Sequence, residues 1–254
     1  MDTESLAEFL QAAAASIVAA RLLVLGLAKR QPALLTFLLS TALIFFSLAS
    51  LPPASAVYFW IYIVSLAVSW AVSLYVVREM FALALDGYPG IRTAGRWAMY
   101  GATGISVAAS LAVTTAFWNG GARGRSRLLF YLEVVDRSVV FTLAAIVVAI
   151  LLFLSRYPLH LHRNTYVSTA FFSAVFLSEA VEMMVDSLSP RLFSGWVDRT
   201  QILFAAACFV GWAAMLRPEA SDAPARVSFE NPADRELLQQ LESFNTLLAR
   251  VGRK

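Results

Sequence analysis

Glu179, Glu182 and Asp186 are spaced three and four residues apart. On an α-helix all three carboxylates share one face. The stretch 166–185 that carries the two glutamates is otherwise apolar. A second charged group, Glu133, Asp136 and Arg137, stands just before the apolar run 138–154, with Glu133 and Arg137 four residues apart. Asp198 and Arg199 open a third apolar run. Carboxylates and arginines grouped this way suit capture of a small polar ligand, or relay of a proton or cation. They equally suit interhelical ion pairs that only fix packing. Both readings stay open on the residues alone.

The elements that must position these groups follow from composition. Of the 254 residues, 59% are hydrophobic and 15% charged, and the mean hydropathy is +0.68. A soluble domain carries roughly a quarter charged residues. The chain therefore reads as an integral membrane protein whose first partner is the lipid bilayer. Soluble enzymes and nucleic-acid binders are excluded, so the net charge of +3 is not a nucleic-acid signal. A helix needs about 20 mostly apolar residues to cross the hydrocarbon core. Seven runs qualify: 8–28, 33–51, 57–77, 97–118, 128–155, 166–185 and 197–216. They are continuous rather than alternating, which selects helices over a closed barrel. Pro32, Pro52, Pro53, Pro89, Pro158 and Pro190 all fall between the runs, and 86–90 reads as a turn cluster.

Lys and Arg in the short loops set the orientation. With the N-terminus outside, thirteen basic residues are internal, Lys29, Arg30, Arg78, Arg92 and Arg96 among them, and five are external. The expected fold is thus an all-α bundle of seven transmembrane helices, N-out and C-in, in the inner (plasma) membrane. In this frame Arg137 lies about 15 Å and Glu179 about 12 Å from the outer surface. Arg137 is expected to pair with Glu179 or Glu182. With Glu133, Asp136, Asp198 and Arg199 they would line an outward-facing polar cleft between the fifth, sixth and seventh helices. Arg21, in the inner half of the first span, is read as facing either the bundle or thinned lipid. The small and hydroxylic residues of the fourth span read as helix packing. The six tryptophans read as an aromatic belt.

Several chemistries are excluded. Lys29 and Lys254 are the only lysines, so no span holds a retinal Schiff base. The single Cys208 excludes an internal disulfide and a thiolate metal cage. His160 and His162 have no further ligands to complete a metal site. No P-loop, G-x-S-x-G or H-E-x-x-H is present. No cofactor or metal is expected, and an enzyme is not the favoured reading.

After the bundle at 1–216, residues 217–231 read as a linker and 232–254 as a cytoplasmic amphipathic helix. Asn231-Pro232 makes an N-cap with proline at N1. Leu237, Leu241, Phe244, Leu248 and Val251 form a short apolar seam for the bundle's inner face, the headgroups or a cytoplasmic protein partner.

Glu133, Asp136 and Arg137, the stretch Phe153-Leu154-Ser155-Arg156-Tyr157, the glutamate of the sixth span and the short tail resemble uncharacterised bacterial seven-helix integral membrane proteins. The resemblance covers most of the chain. It implies the topology and carries no activity. Three functions fit these residues. The first is a receptor-like or sensory protein binding a small polar ligand. The second is a transporter of small solutes or ions that uses the membrane carboxylates. The third is a scaffold or accessory subunit.

Overall fold

The computed structural model describes residues 3–52, 55–85, 88–116, 125–156, 163–188, 194–218, 242–243 and 245–247. Among these residues the chain is all-helical and contains no strand. Seven long helices follow one another: α1 (Thr3–Val24), α2 (Pro32–Ala49), α3 (Ala56–Ala84), α4 (Pro89–Ala116), α5 (Arg125–Arg156), α6 (Arg163–Leu188) and α7 (Ser194–Met215). Five of them, α2 to α6, are long and apolar enough to cross a membrane. The apolar part of α7 is confined to Arg199–Met215.

Two helices run beyond the apolar stretches that announce them. α3 continues past Val77 to Ala84, so Arg78 and Glu79 are helical rather than in a loop. α4 starts at Pro89, inside the supposed turn cluster, so Arg92 and Arg96 are helical too. Hydropathy marks where a helix meets lipid. The backbone keeps its i→i−4 bonds for as long as side chains can reach the interface. Proline at N1 suits a helix start because its missing N–H is not needed there. α1 ends short of the expected position 28. Gly26 takes a left-handed φ of 76°, which glycine adopts without strain. The chain then makes a 3-10 turn over Leu27–Lys29 and enters α2 at Pro32.

The helices close a ring in the order α1, α2, α3, α5, α6, α7 and back to α1, while α4 lies outside and packs mainly on α5. Leu22, Leu38, Val77, Leu143, Phe172, Phe209 and Trp212 form its fully buried centre. Phe37 packs edge-on against Phe172, with ring centres 5.3 Å apart, and so ties α2 to α6. The small residues of α4 do not pack as expected. A side chain at Gly101 or Gly104 would meet nothing within 4 Å, and the Thr103 and Thr114 hydroxyls donate to carbonyls of their own helix. α4 packs through Met99, Tyr100 and Val107 instead.

One end of the bundle gathers Lys29, Arg30, Arg78, Arg92, Arg96, Arg163 and Arg217, and is called the basic end below. Here helix termini are satisfied by side chains from distant elements. Pro32 has no N–H, and Gln31 at the N-cap makes no side-chain cap. Instead Ala33 N donates to Glu79 Oε2 at 2.9 Å and Leu34 N to Glu79 Oε1 at 3.4 Å. The carboxylate of α3 thus caps α2, where the helix dipole favours negative charge. The Gln31 side chain is used elsewhere. Ser168 Oγ donates to Gln31 Oε1 at 3.0 Å, and Trp212 Nε1 donates to Ser168 Oγ at 3.3 Å. That buried chain joins α7, α6 and the start of α2. Asn164 Nδ2 donates to the Arg217 carbonyl and Arg217 N donates to Asn164 Oδ1, at 2.9 and 3.1 Å. Arg21 is exposed, yet it reaches a polar group of the bundle. Its Nη2 donates to the Leu216 carbonyl at 3.3 Å and so caps the end of α7.

The tail reaches the same end. Gly90 N and Ile91 N donate to Asn245 Oδ1 at 2.8 and 3.3 Å, so a tail side chain caps α4. Thr246 Oγ1 donates to the Glu242 carbonyl at 2.8 Å, as helical backbone permits. Burial and the Glu242 carboxylate push the Tyr88 hydroxyl above its ordinary pKa. The linker and the seam Leu237, Leu241, Phe244, Leu248 and Val251 lie outside the described residues.

The buried chain predicts a contrast between two serines five positions apart on α6. Ser168 holds two buried partners, whereas Ser173 Oγ is buried with no hydrogen-bond partner. Ser168→Ala should lower thermal stability in detergent by about 1–3 kcal/mol, because Gln31 and Trp212 lose their partner. Ser173→Ala should be neutral or stabilising. Equal losses at both positions would show that helix packing, not the hydrogen-bond chain, matters here.

Candidate functional site

Three helices, α3, α5 and α6, meet toward the end opposite the basic end. Asp136 on α5 is partly buried there, and Trp70 Nε1, from the middle of α3, donates to its Oδ1. Asp136 is also the charged group whose field acts on Glu179 across the α5–α6 contact. Arg137 and Glu133 act on Asp136 from its own helix. Tyr62, two turns before Trp70 on α3, lies in the field of Asp136 and Glu133. The centre of the site is therefore the partly buried Asp136, bonded to an indole N–H, with Arg137 beside it on α5 and Glu179 and Tyr62 within its field.

This arrangement sorts the expected residues into two groups. Glu133, Asp136 and Arg137 lie together on α5, and of these only Asp136 acts on Glu179 of α6. Glu133 is exposed. Glu182 instead lines a 570 Å³ cavity between α6 and α7, with Ser178, Thr200 and Gln201 and apolar walls that include Leu177 and Phe204. Arg199 is exposed on α7, next to Thr200. The side chains of Asp198 and Asp186 lie outside the described residues. The two groups are not separate sites in depth. Glu179 and Glu182 are three residues apart on one helix, a rise of about 4.5 Å.

Two ionised carboxylates within one another's field repel, and Arg137 beside Asp136 offsets part of that repulsion. A proton or a cation between them relieves that repulsion. Trp70 offsets part of the cost by donating to one of them. Tyr62 and Trp70 add aromatic faces, which attract positive charge. The arrangement suits a cation better than an anion. Among the described residues no group of three or more histidines, cysteines or acids is placed to hold a metal ion.

The sequence reading missed Trp70 and Tyr62. Trp70 was placed with the interfacial belt, yet it stands fourteen residues from either end of α3. A tryptophan at mid-span needs a partner for its N–H, and that depth was the available signal. Trp212 is likewise fully buried and hydrogen-bonded rather than interfacial. Trp60 and Trp97 are exposed, as belt residues are.

A double-mutant cycle on Trp70 and Asp136 tests the central contact. Trp70→Phe should cost about 1.5–3 kcal/mol, the range for a hydrogen bond to a charged group. In an Asp136→Leu background the same change should cost less than half as much. Glu179→Gln removes the facing charge and should be tolerated better than Asp136→Leu. Additive losses for Trp70 and Asp136 would mean that the indole does not hold the carboxylate.

No family model matches the chain, and neither a curated protein nor a solved structure matches it.

Proposed function

We propose that this multi-pass membrane protein spans the bilayer seven times, with the N-terminus outside and the basic end in the cytoplasm. It is receptor-like, and it takes a small polar ligand bearing positive charge from the outer side, beside α5, α6 and α7. The observation that carries this reading is the cavity lined by Glu182, one helical turn from the Asp136–Glu179 pair. Its 570 Å³ falls in the ordinary range for small-molecule sites, roughly 300–1,000 Å³. A carboxylate, an amide and two hydroxyls set in apolar walls match an ammonium or guanidinium group on a mostly apolar body.

Output runs through the same two helices. α6 and α7 line the cavity at one end and are bonded at the other through Ser168–Trp212 and Asn164–Arg217. A ligand that changes their spacing acts on the place where the tail departs at Pro218. The transporter reading has less support, because α1 to α7 run without the interruptions that mark many transporter sites. Topology rests on the thirteen-to-five distribution of basic residues.

Two measurements test the proposal. With Cys208→Ala as background, a cysteine at the exposed Ser243 should react with an impermeant maleimide only after the cells are opened. Reaction in intact cells would reverse the orientation. For the ligand, thermal unfolding of the full chain in nanodiscs should be screened against choline, putrescine and arginine, with neutral polyols as controls. A saturable stabilisation by an amine is expected, and Glu182→Gln should abolish it while the variant stays folded. If no amine stabilises the protein, the receptor reading falls and the carboxylates are packing elements of a scaffold.

A further inference from the structure

At the basic end, away from the α6–α7 cavity, three arginines line a cleft between the last turns of α3 and the first turns of α4. Arg78 comes from α3, and Arg92, Thr93 and Arg96 come from α4. The cleft has a volume of 290 Å³ and, among the described residues, no acidic side chain in its lining. Arg92 and Arg96 are one turn apart on the same helix face. Arg78 faces them from the antiparallel neighbour. The α4 N–H groups at Gly90 and Ile91 are already bonded to Asn245, so an anion here would meet guanidinium groups.

The cleft does not end at the arginines. Phe81 lines it and also lines a second cavity of 360 Å³ between α4 and α5. The walls of this second cavity include Ile91, Met99, Ala102, Ile146, Ile150 and Phe153, all apolar. The Phe81 ring can lie against α4 because residue 95 is glycine; a methyl group there would clash with it. Along α4 the groove runs from Ile91 to Ala102, a rise of about 16 Å. That is close to half the roughly 30 Å hydrocarbon core, the depth of one leaflet. Arg92 and Arg96 stand beside its first two turns, and helix side chains lean toward the N-terminus, the headgroup side in the proposed orientation. Ala98, Ala102 and Ala149 keep the facing helix surfaces low over this length.

We infer that this continuous cleft binds one anionic phospholipid, its phosphate among Arg78, Arg92 and Arg96 and an acyl chain in the α4–α5 groove. The charge selects an anion, and the apolar continuation at leaflet depth selects a lipid over a free phosphate. Arg–phosphate pairing is bidentate and favours guanidinium over ammonium. Basic pockets between membrane helices have this chemistry. The lipid would fill the gap between α4 and the ring, which α4 touches mainly through α5.

Native mass spectrometry and thermal unfolding of the full chain in neutral detergent test the inference. The probes are phosphatidylglycerol, phosphatidylcholine with the same acyl chains, and inorganic phosphate. Phosphatidylglycerol should be retained and should raise the unfolding temperature, and the other two should not. Arg78→Gln with Arg96→Gln should weaken phosphatidylglycerol binding on the order of thirty-fold, about fivefold per arginine. Ala149→Phe, at an exposed position in the groove wall, leaves the arginines intact and should also weaken the lipid. Equal retention of phosphatidylcholine would overturn the charge assignment. Protection by inorganic phosphate alone, with Ala149→Phe binding as well as the parent, would make this a phosphate site and overturn the lipid. If the arginine pair binds phosphatidylglycerol like the parent, the cleft is not its site.

Discussion

A helix that ends near lipid leaves up to four N–H and four C=O groups without partners inside the helix, and the hydrocarbon offers none. α2 and α4 each start on a proline, which removes one of those N–H groups, and the next two amides of each take a partner from a distant element. Glu79 answers for α2 and Asn245 for α4. Much of the basic end follows from these two contacts. With Glu79 on the α2 amides, α3 is held against α2 at a set height. With the amides served from outside, Gln31 is released to reach Ser168 and thereby Trp212. Arg21 and Asn164 then close the end of α7. Five helices, α1, α2, α3, α6 and α7, make these contacts through backbone groups that had to be satisfied in any case.

Toward the opposite end the demands differ. The Asp136–Glu179 pair brings like charges together instead of removing unsatisfied groups. Stability alone does not favour that arrangement, since two apolar residues of similar volume would pack without repulsion. Trp70 donates to one carboxylate, and the other stands on α6, one of the two helices that line the cavity. The bundle thus separates its roles by depth. Its basic end is a set of mutually satisfied caps, and the opposite half groups Asp136 and Glu179 with Arg137 beside the first of them. Ser168 and Trp212 lie on the same two helices as Glu182 and Gln201, so the two halves share a mechanical connection.

Apolar runs were enough to foresee seven helices, because continuous hydrophobicity over about 20 residues has few structural solutions. They were poor guides to helix ends. Arg78, Arg92 and Arg96 read as loop residues because hydropathy falls there, although the backbone stays helical. This displaced the residues that matter most at the basic end. Asp136 and Glu179 were legible as charges at unfavourable depth. Their mutual approach was not, since rotation about each helix axis is set by packing that spacing does not encode. Gln31, Ser168 and Asn164 are ordinary polar residues in sequence. They become informative only when their partners, 137, 44 and 53 residues away, are known.

The partners at the basic end are also far apart in time. Arg21 bonds a carbonyl 195 residues later, Gln31 a hydroxyl 137 later, and Gly90 an amide oxygen 155 later. The first helix packs on α2 and gains its second neighbour when the seventh is in place. A chain cut short before Leu216 keeps that first contact and loses the Arg21 bond. The ring closes by joining an early segment to a late one.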